Sequence, residues 1–139
     1  MTQEDKKLLL KDLCARLPYK TLISIDGDGN RYRLEEICHA IIGIDTYKTT
    51  VENCNIEQVK PYLFPLSSMT EEQQEEFDRI YADDMQVVAN NLKNRLDGKP
   101  YERNLGHYRH IDWLNANHFD YRGLISKGLA IDATGLNIY

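Results

Sequence analysis

His107-Tyr-Arg-His-Ile-Asp-Trp-Leu-Asn-Ala-Asn-His-Phe-Asp-Tyr-Arg-Gly-Leu-Ile-Ser-Lys-Gly-Leu-Ala-Ile131 reads as two short helices joined by a tight turn. From His107 to Ala116, Ile111 and Leu114 share one helical face, with the single tryptophan, Trp113, beside them. Asn117 suits the left-handed position that ends a helix. Asp120 suits the N-cap of a second helix running to Lys127, where Gly128 stops it. Leu124, Ile125 and Leu129 supply its apolar contacts. On this reading the stretch is a helical corner that closes the domain. Trp113, Phe119 and Tyr121 read as packing residues, because aromatics supply most of the burial open to so short a unit. What exceeds packing is His118, Tyr121 and Arg122 around the turn, and these are the candidate binding residues.

Working back from the corner, Thr70-Glu-Glu-Gln73 is a capping box opening a long acidic helix. Its first-turn acids suit the positive end of the helix dipole. Phe77, Ile80, Tyr81, Val88 and Leu92 are expected on its buried face. Ala82-Asp83-Asp84 is a candidate kink. Asp97-Gly98, with Pro100 beyond, predicts its end, and 99–106 reads as a loop.

Further back, 19–66 changes texture. Thr21–Ile25 and Arg31–Leu34 are β-rich runs around Asp26-Gly-Asp-Gly-Asn30, which is a hairpin signal. Residues 34–44 fit a helical period as well as strands. The β-branched run Thr46–Val51 that follows favours strands and a small meander. Asn55–Lys60 reads as one helical turn, and Pro61–Pro65 as an extended crossing. The layout is that of a small antiparallel sheet, comparable with an SH3-type arrangement. At the start, Thr2 with Asp5 predicts a capped helix over 3–16, with Leu9, Leu10, Leu13 and Leu17 as its stripe and Pro18 as its stop.

The fold class expected is therefore α+β: an N-terminal helix, the small sheet, the long acidic helix and the C-terminal corner. One domain over 1–131 is expected, with a β sub-lobe over 19–66, a helical part over 70–131, and a tail over 132–139. A chain of 139 residues buries about two-thirds of its unfolded surface, enough for a core without staples.

Composition narrows the function. Seventeen basic residues face 22 acidic ones, for a net charge of −5. The broad basic footprint of a backbone-driven nucleic-acid binder is missing. Seven of the acids lie between Thr70 and Gln86. The three cysteines, Cys14, Cys38 and Cys54, include no CxxC pair, and reduced cytoplasmic thiols fit best. Cys14 and Cys38 occupy apolar-face positions and read as core thiols. The start of the chain carries acids and no long apolar run, so neither a signal peptide nor a membrane span is expected.

Each candidate motif falls short of its chemistry. Asp26, Asp28 and Asn30 imitate the first ligands of a calcium loop, but Arg31 stands where Gly must be and Ile37 where the bidentate Glu must be. His107, His110 and His118 could gather into a metal site, but the first two are three apart with no Glu between them as in the metalloprotease helix. No nucleophile elbow, phosphate loop or dinucleotide fingerprint occurs. The paired helices of the corner also have helix-turn-helix spacing, but Tyr121, Arg122, Ser126 and Lys127 offer little for reading a groove.

Three strings, Leu9-Leu-Lys-Asp-Leu-Cys-Ala-Arg-Leu-Pro-Tyr19, Val59-Lys-Pro-Tyr-Leu-Phe-Pro-Leu-Ser-Ser-Met-Thr70 and Asp112-Trp-Leu-Asn-Ala-Asn-His-Phe-Asp-Tyr-Arg-Gly-Leu-Ile125, resemble a group of short uncharacterised proteins of phages and prophage-like elements of gut bacteria. The resemblance implies an accessory protein in a bacterial cytoplasm. It carries no activity, cofactor or catalytic residue. The function expected is thus a non-enzymatic accessory protein that binds a protein partner, without a cofactor or a membrane. A nucleic-acid-associated factor is the alternative, using Arg31, Arg33 and Lys48, or Arg109 and Arg122. A small metal-dependent enzyme using the histidines is the third reading.

Overall fold

The computed structural model of the chain describes residues 1–38, 41–45, 51–99 and 108–139. Helix α1 (Gln3–Arg16) starts at the expected capping box: the Thr2 hydroxyl accepts the Asp5 N–H, and the Asp5 carboxylate accepts the Thr2 N–H. The Thr2 hydroxyl, which also donates to the Asp5 carboxylate at 2.7 Å, and the Thr2 N–H hold that carboxyl below its usual value. Leu9 and Leu13 are fully buried, whereas Leu10 and Leu17 are half-buried. Asp12 and Arg16 share the buried side with them. Cys14 does not: one residue past Leu13 it turns to solvent, so it is not the core thiol expected. The Cys38 side chain lies outside the described residues. A single 3₁₀ turn at Leu17–Tyr19 ends in Lys20 at φ 52°.

Strands β1 (Leu22–Ile25) and β2 (Tyr32–Cys38) form the expected hairpin, with Leu22 opposite Arg33. Its turn is held from within. Asp28 accepts the Asn30 N–H and the Tyr32 hydroxyl, and the Gln58 amide donates to Asp26 at 2.9 Å. The carboxylates of the calcium-like loop are thus engaged with the protein itself. Strands β3 (Ile41–Asp45) and β4 (Val51–Asn55) extend the meander antiparallel. Residues 34–44 are therefore strand where described. The run expected at Thr46–Val51 lies mostly outside the described residues.

A 3₁₀ turn at Ile56–Gln58, capped by Asn55, leads into β5 (Val59–Pro65), which pairs antiparallel with β1. The sheet is not purely antiparallel as expected. Two-residue strands β6 (Phe119–Asp120) and β7 (Ile131–Asp132) both run parallel to β5. They can do so because they follow long excursions of the chain, which a parallel partner requires. Among the described residues the order β4-β3-β2-β1-β5-β6 is open, and it does not close in the manner of an SH3-type barrel.

The chain divides into two units, Met1–Ser68 with Asn115–Tyr139, and Met69–Leu114. The corner residues from Asn115 onward thus belong with the sheet rather than with the long helix. The first unit's core gathers Leu9, Leu13, Ile23, Leu34, Val59, Leu63 and Leu124. The expected tail is part of it. Ala133 is fully buried and donates its N–H to the Leu63 carbonyl at 2.8 Å.

The second unit is built on α2 (Glu71–Leu96), which stays helical through Ala82-Asp83-Asp84. Its capping box is the one expected, with Thr70 and Gln73 bonded reciprocally. Asp97 and then Gly98, at φ 70°, end it. Its apolar pattern is used differently from the expectation. Phe77 and Ile80 are half-buried, but Tyr81, Val88 and Leu92 are exposed. Helix α3 (Arg109–Ala116) begins in this unit. There Phe77 packs on Trp113 at 5.8 Å between ring centres. His107 and the loop expected at 99–106, past Lys99, lie outside the described residues.

Candidate functional site

The second helix of the corner, expected over 121–127, does not form. Gly123 adopts φ 72° and Gly128 φ 71°, and a left-handed residue interrupts a right-handed run. Residues 121–130 are a string of turns instead. Asp120 still acts as a cap, but from within β6: its two carboxylate oxygens accept the N–H groups of Leu124 and Ile125 at 2.9 and 2.8 Å. Without a second helix the helix-turn-helix reading loses its recognition element. The left-handed residue after α3 is His118, at φ 61°, not Asn117.

The three candidate residues meet a hub that lies far away in sequence. Asp12 and Arg16, one helical turn apart on α1, are both fully buried. Arg16 Nε donates to Asp12 Oδ2 at 2.7 Å, and Arg122 Nη1 donates to Asp12 Oδ1 at 2.8 Å. One carboxylate thus holds two guanidiniums. Arg16 Nη2 also donates to the Phe119 carbonyl at 2.6 Å, tying α1 to β6. Among the described residues Arg16 Nη1 is buried without a hydrogen-bond partner. The Tyr121 ring lies 5.5 Å from the Arg16 guanidinium and 4.5 Å from that of Arg122, and its hydroxyl donates to Asn115. Arg122 is largely covered, its side chain only 17% exposed.

His118 is buried beside this hub. Its ring stacks on Tyr139, with centroids 3.6 Å apart and planes at 12°, and its Nδ1 lies 3.4 Å from the Thr21 hydroxyl. The Tyr139 hydroxyl accepts the Leu22 N–H and donates to the Tyr62 carbonyl. Nearly half of the Tyr139 surface is open, yet this hydroxyl end is inside, and burial pushes its ionisation up. Burial, and secondly the positive charge of Arg16, pull the His118 ring down from 6.5 to about 4. His118 is therefore neutral at pH 7.

That shift has a direction in stability. Between pH 6.5 and 4 the unfolded chain binds a proton on this ring and the folded chain does not. Stability contributed by the neutral ring is thus present above pH 6.5 and falls as the pH drops toward 4, by about 2 kcal/mol from pH 7 to pH 5. His118→Asn, which tolerates the left-handed backbone, is expected to flatten that loss in urea titrations at the two pH values. An equal loss in both proteins would contradict a neutral buried His118.

The arrangement is a buried polar clamp. Two guanidiniums hold the Asp12 carboxylate, and the His118 ring lies between the Thr21 hydroxyl and the Tyr139 ring. Reading from sequence found His118, Tyr121 and Arg122 but missed Asp12, Arg16, Thr21 and Tyr139. A signal for two of these is present: Leu9, Asp12, Leu13 and Arg16 share one face, so two charges sit inside an apolar stripe.

Of the three histidines in the metal reading, His107 lies outside the described residues. In the second unit His110 is bound to Asp84, with Nδ1 at 2.6 Å and its N–H at 2.9 Å from the same oxygen. Burial raises the Asp84 carboxyl, but these bonds and Arg109 outweigh it and hold the carboxyl below its usual value. Among the described residues no three metal-ligating side chains converge. Three of the residues in the proposed basic faces have partners within the protein. Arg109 pairs with Asp83 and Asp84, Arg122 with Asp12, and Arg31 lies 5.9 Å from the Tyr62 ring. Arg33 is exposed, and Lys48 lies outside the described residues. No helix among the described residues is long and apolar enough to cross a membrane. Comparison with family models, curated proteins and solved structures found no match to this chain.

Proposed function

We propose that the chain is a non-enzymatic accessory module that works by binding protein. Its binding face is α2 rather than the corner around His118, Tyr121 and Arg122. One observation carries this reading. Tyr81, Val88, Leu92 and Leu96 are 46, 40, 60 and 79% exposed, and they follow one another at spacings of seven, four and four. At about 100° per residue, such spacings place all four side chains on one stripe. Isolated exposed leucines need no explanation, but a contiguous apolar stripe on a soluble helix marks an interaction surface. The resemblance of three strings to phage and prophage proteins supports an accessory role in a mobile element's host.

A photo-crosslinking amino acid placed at Leu92 in cells making the protein tests this. A protein adduct is expected from position 92 and none from the exposed Lys127. Absence of adducts from positions 81, 92 and 96 alike would contradict it.

A further inference from the structure

We infer that the stripe on α2 receives a second copy of this chain, packed antiparallel. The inference rests on reading α2 as a protein-binding face and names the partner of that face. The stripe is Tyr81, Met85, Val88, Leu92 and Leu96, at spacings of four, three, four and four. This is close to the 3.5-residue recurrence of a helix that packs along another helix. It spans about 22 Å at 1.5 Å per residue. The exposed Ala82 and Ala89 lie along its edge, where small side chains admit a close neighbour.

Charge sets the partner and its direction. The first turns of α2 expose Glu71, Glu72, Glu75, Glu76 and Asp78, while Lys93, Arg95 and Lys99 outnumber Asp97 at the other end. A parallel pair would lay acids beside acids. An antiparallel pair of identical helices points each acidic end toward a basic one, and with Val88 near the axis it brings Asp78 opposite Lys99 of the other copy. The same packing sets Tyr81 against Leu96 of the other copy and Met85 against its Leu92, with Val88 near the two-fold axis.

So short a contact gives a modest dimer. Sedimentation velocity of the full chain from about 1 to 100 µM, the regime of small interfaces, is expected to show one copy passing to two. Leu92→Asp is expected to raise the dissociation constant at least about tenfold, with Leu96→Asp, at the most exposed position, as the second variant should Leu92→Asp unfold. Direction is read with all three cysteines replaced by Ser. A mixture of Tyr81→Cys chains and Leu96→Cys chains is expected to form a mixed disulfide under mild oxidation, and Tyr81→Cys alone none. A single copy at every concentration overturns self-pairing. The wider reading of α2 then stands if Leu92 still crosslinks a different protein and falls if it crosslinks nothing. A dimer that both Asp variants leave unchanged overturns the stripe as its seat. A disulfide between two Tyr81→Cys chains overturns the antiparallel direction.

Discussion

Asp12→Ala is expected to lower the unfolding free energy by about 3–5 kcal/mol, the cost of removing one partner from a buried ionic group. Its carboxylate sits between the guanidiniums of Arg16 and Arg122, at 2.7 and 2.8 Å. Taking it away leaves two cations facing one another, and Arg16 cannot turn to water because it is fully buried. The opposite change is milder. Arg16→Met leaves Asp12 paired with Arg122 and fills much of the same space. It also removes a buried nitrogen, Nη1, that lacks a partner among the described residues. Its cost is the donor lost by the Phe119 carbonyl together with the lost ion pair, and about 1–3 kcal/mol is expected. Urea denaturation of the two variants gives the order. Equal losses, or a larger loss for Arg16→Met, would mean that the carboxylate is not the centre of the clamp.

The second large effect is expected at Tyr139, which reads from sequence as the end of a tail. Its ring stacks on His118 and lies 5.8 Å from the Phe64 ring, and its hydroxyl joins Leu22 to the Tyr62 carbonyl. Tyr139→Ala deletes the ring and the bridge together. Because part of the ring is open to water, a loss of about 2–4 kcal/mol is expected, below that of a fully buried aromatic. Tyr139→Phe keeps the ring and leaves the two backbone groups without their partner, at about 1–2 kcal/mol. The difference between the two variants measures the stack. If Tyr139→Ala melts like the parent, the segment after Ile131 is a tail after all.

The elements that the sequence specified well are those with local causes. Thr2 with Asp5 and Thr70 with Gln73 are capping boxes that work within four residues, and both helices begin where those boxes stand. Asp26-Gly-Asp-Gly-Asn30 makes its turn through its own left-handed positions. The misreadings involve long-range choices. Parallel pairing of β6 and β7 with β5 depends on where the chain returns, and no residue type announces it. Asp120 and Gly128 look like the ends of a helix, but Gly123 between them takes a left-handed backbone that an apolar period does not reveal. On α2, Phe77 and Ile80 share a helix with a second apolar stripe, and periodicity alone does not say which stripe becomes covered. The candidate site shows the same division. His118, Tyr121 and Arg122 stood out as local excess over packing. Asp12, the partner of Arg122, lies 110 residues from it, and only its place among Leu9 and Leu13 hinted at burial.

The apolar stripe of α2 is open surface, whereas the corner is a buried clamp. Urea unfolding of Leu92→Asp beside Arg122→Ala tests this directly, at about 0.5 µM so that association contributes little. Leu92→Asp is expected to stay within about 0.5 kcal/mol of the parent, as a substitution on an open surface does. Arg122→Ala is expected to lose about 1–3 kcal/mol, because it removes a charge-assisted bond to a buried carboxylate. A loss above about 2 kcal/mol for Leu92→Asp, with Arg122→Ala unchanged, would reverse the assignment of the two faces.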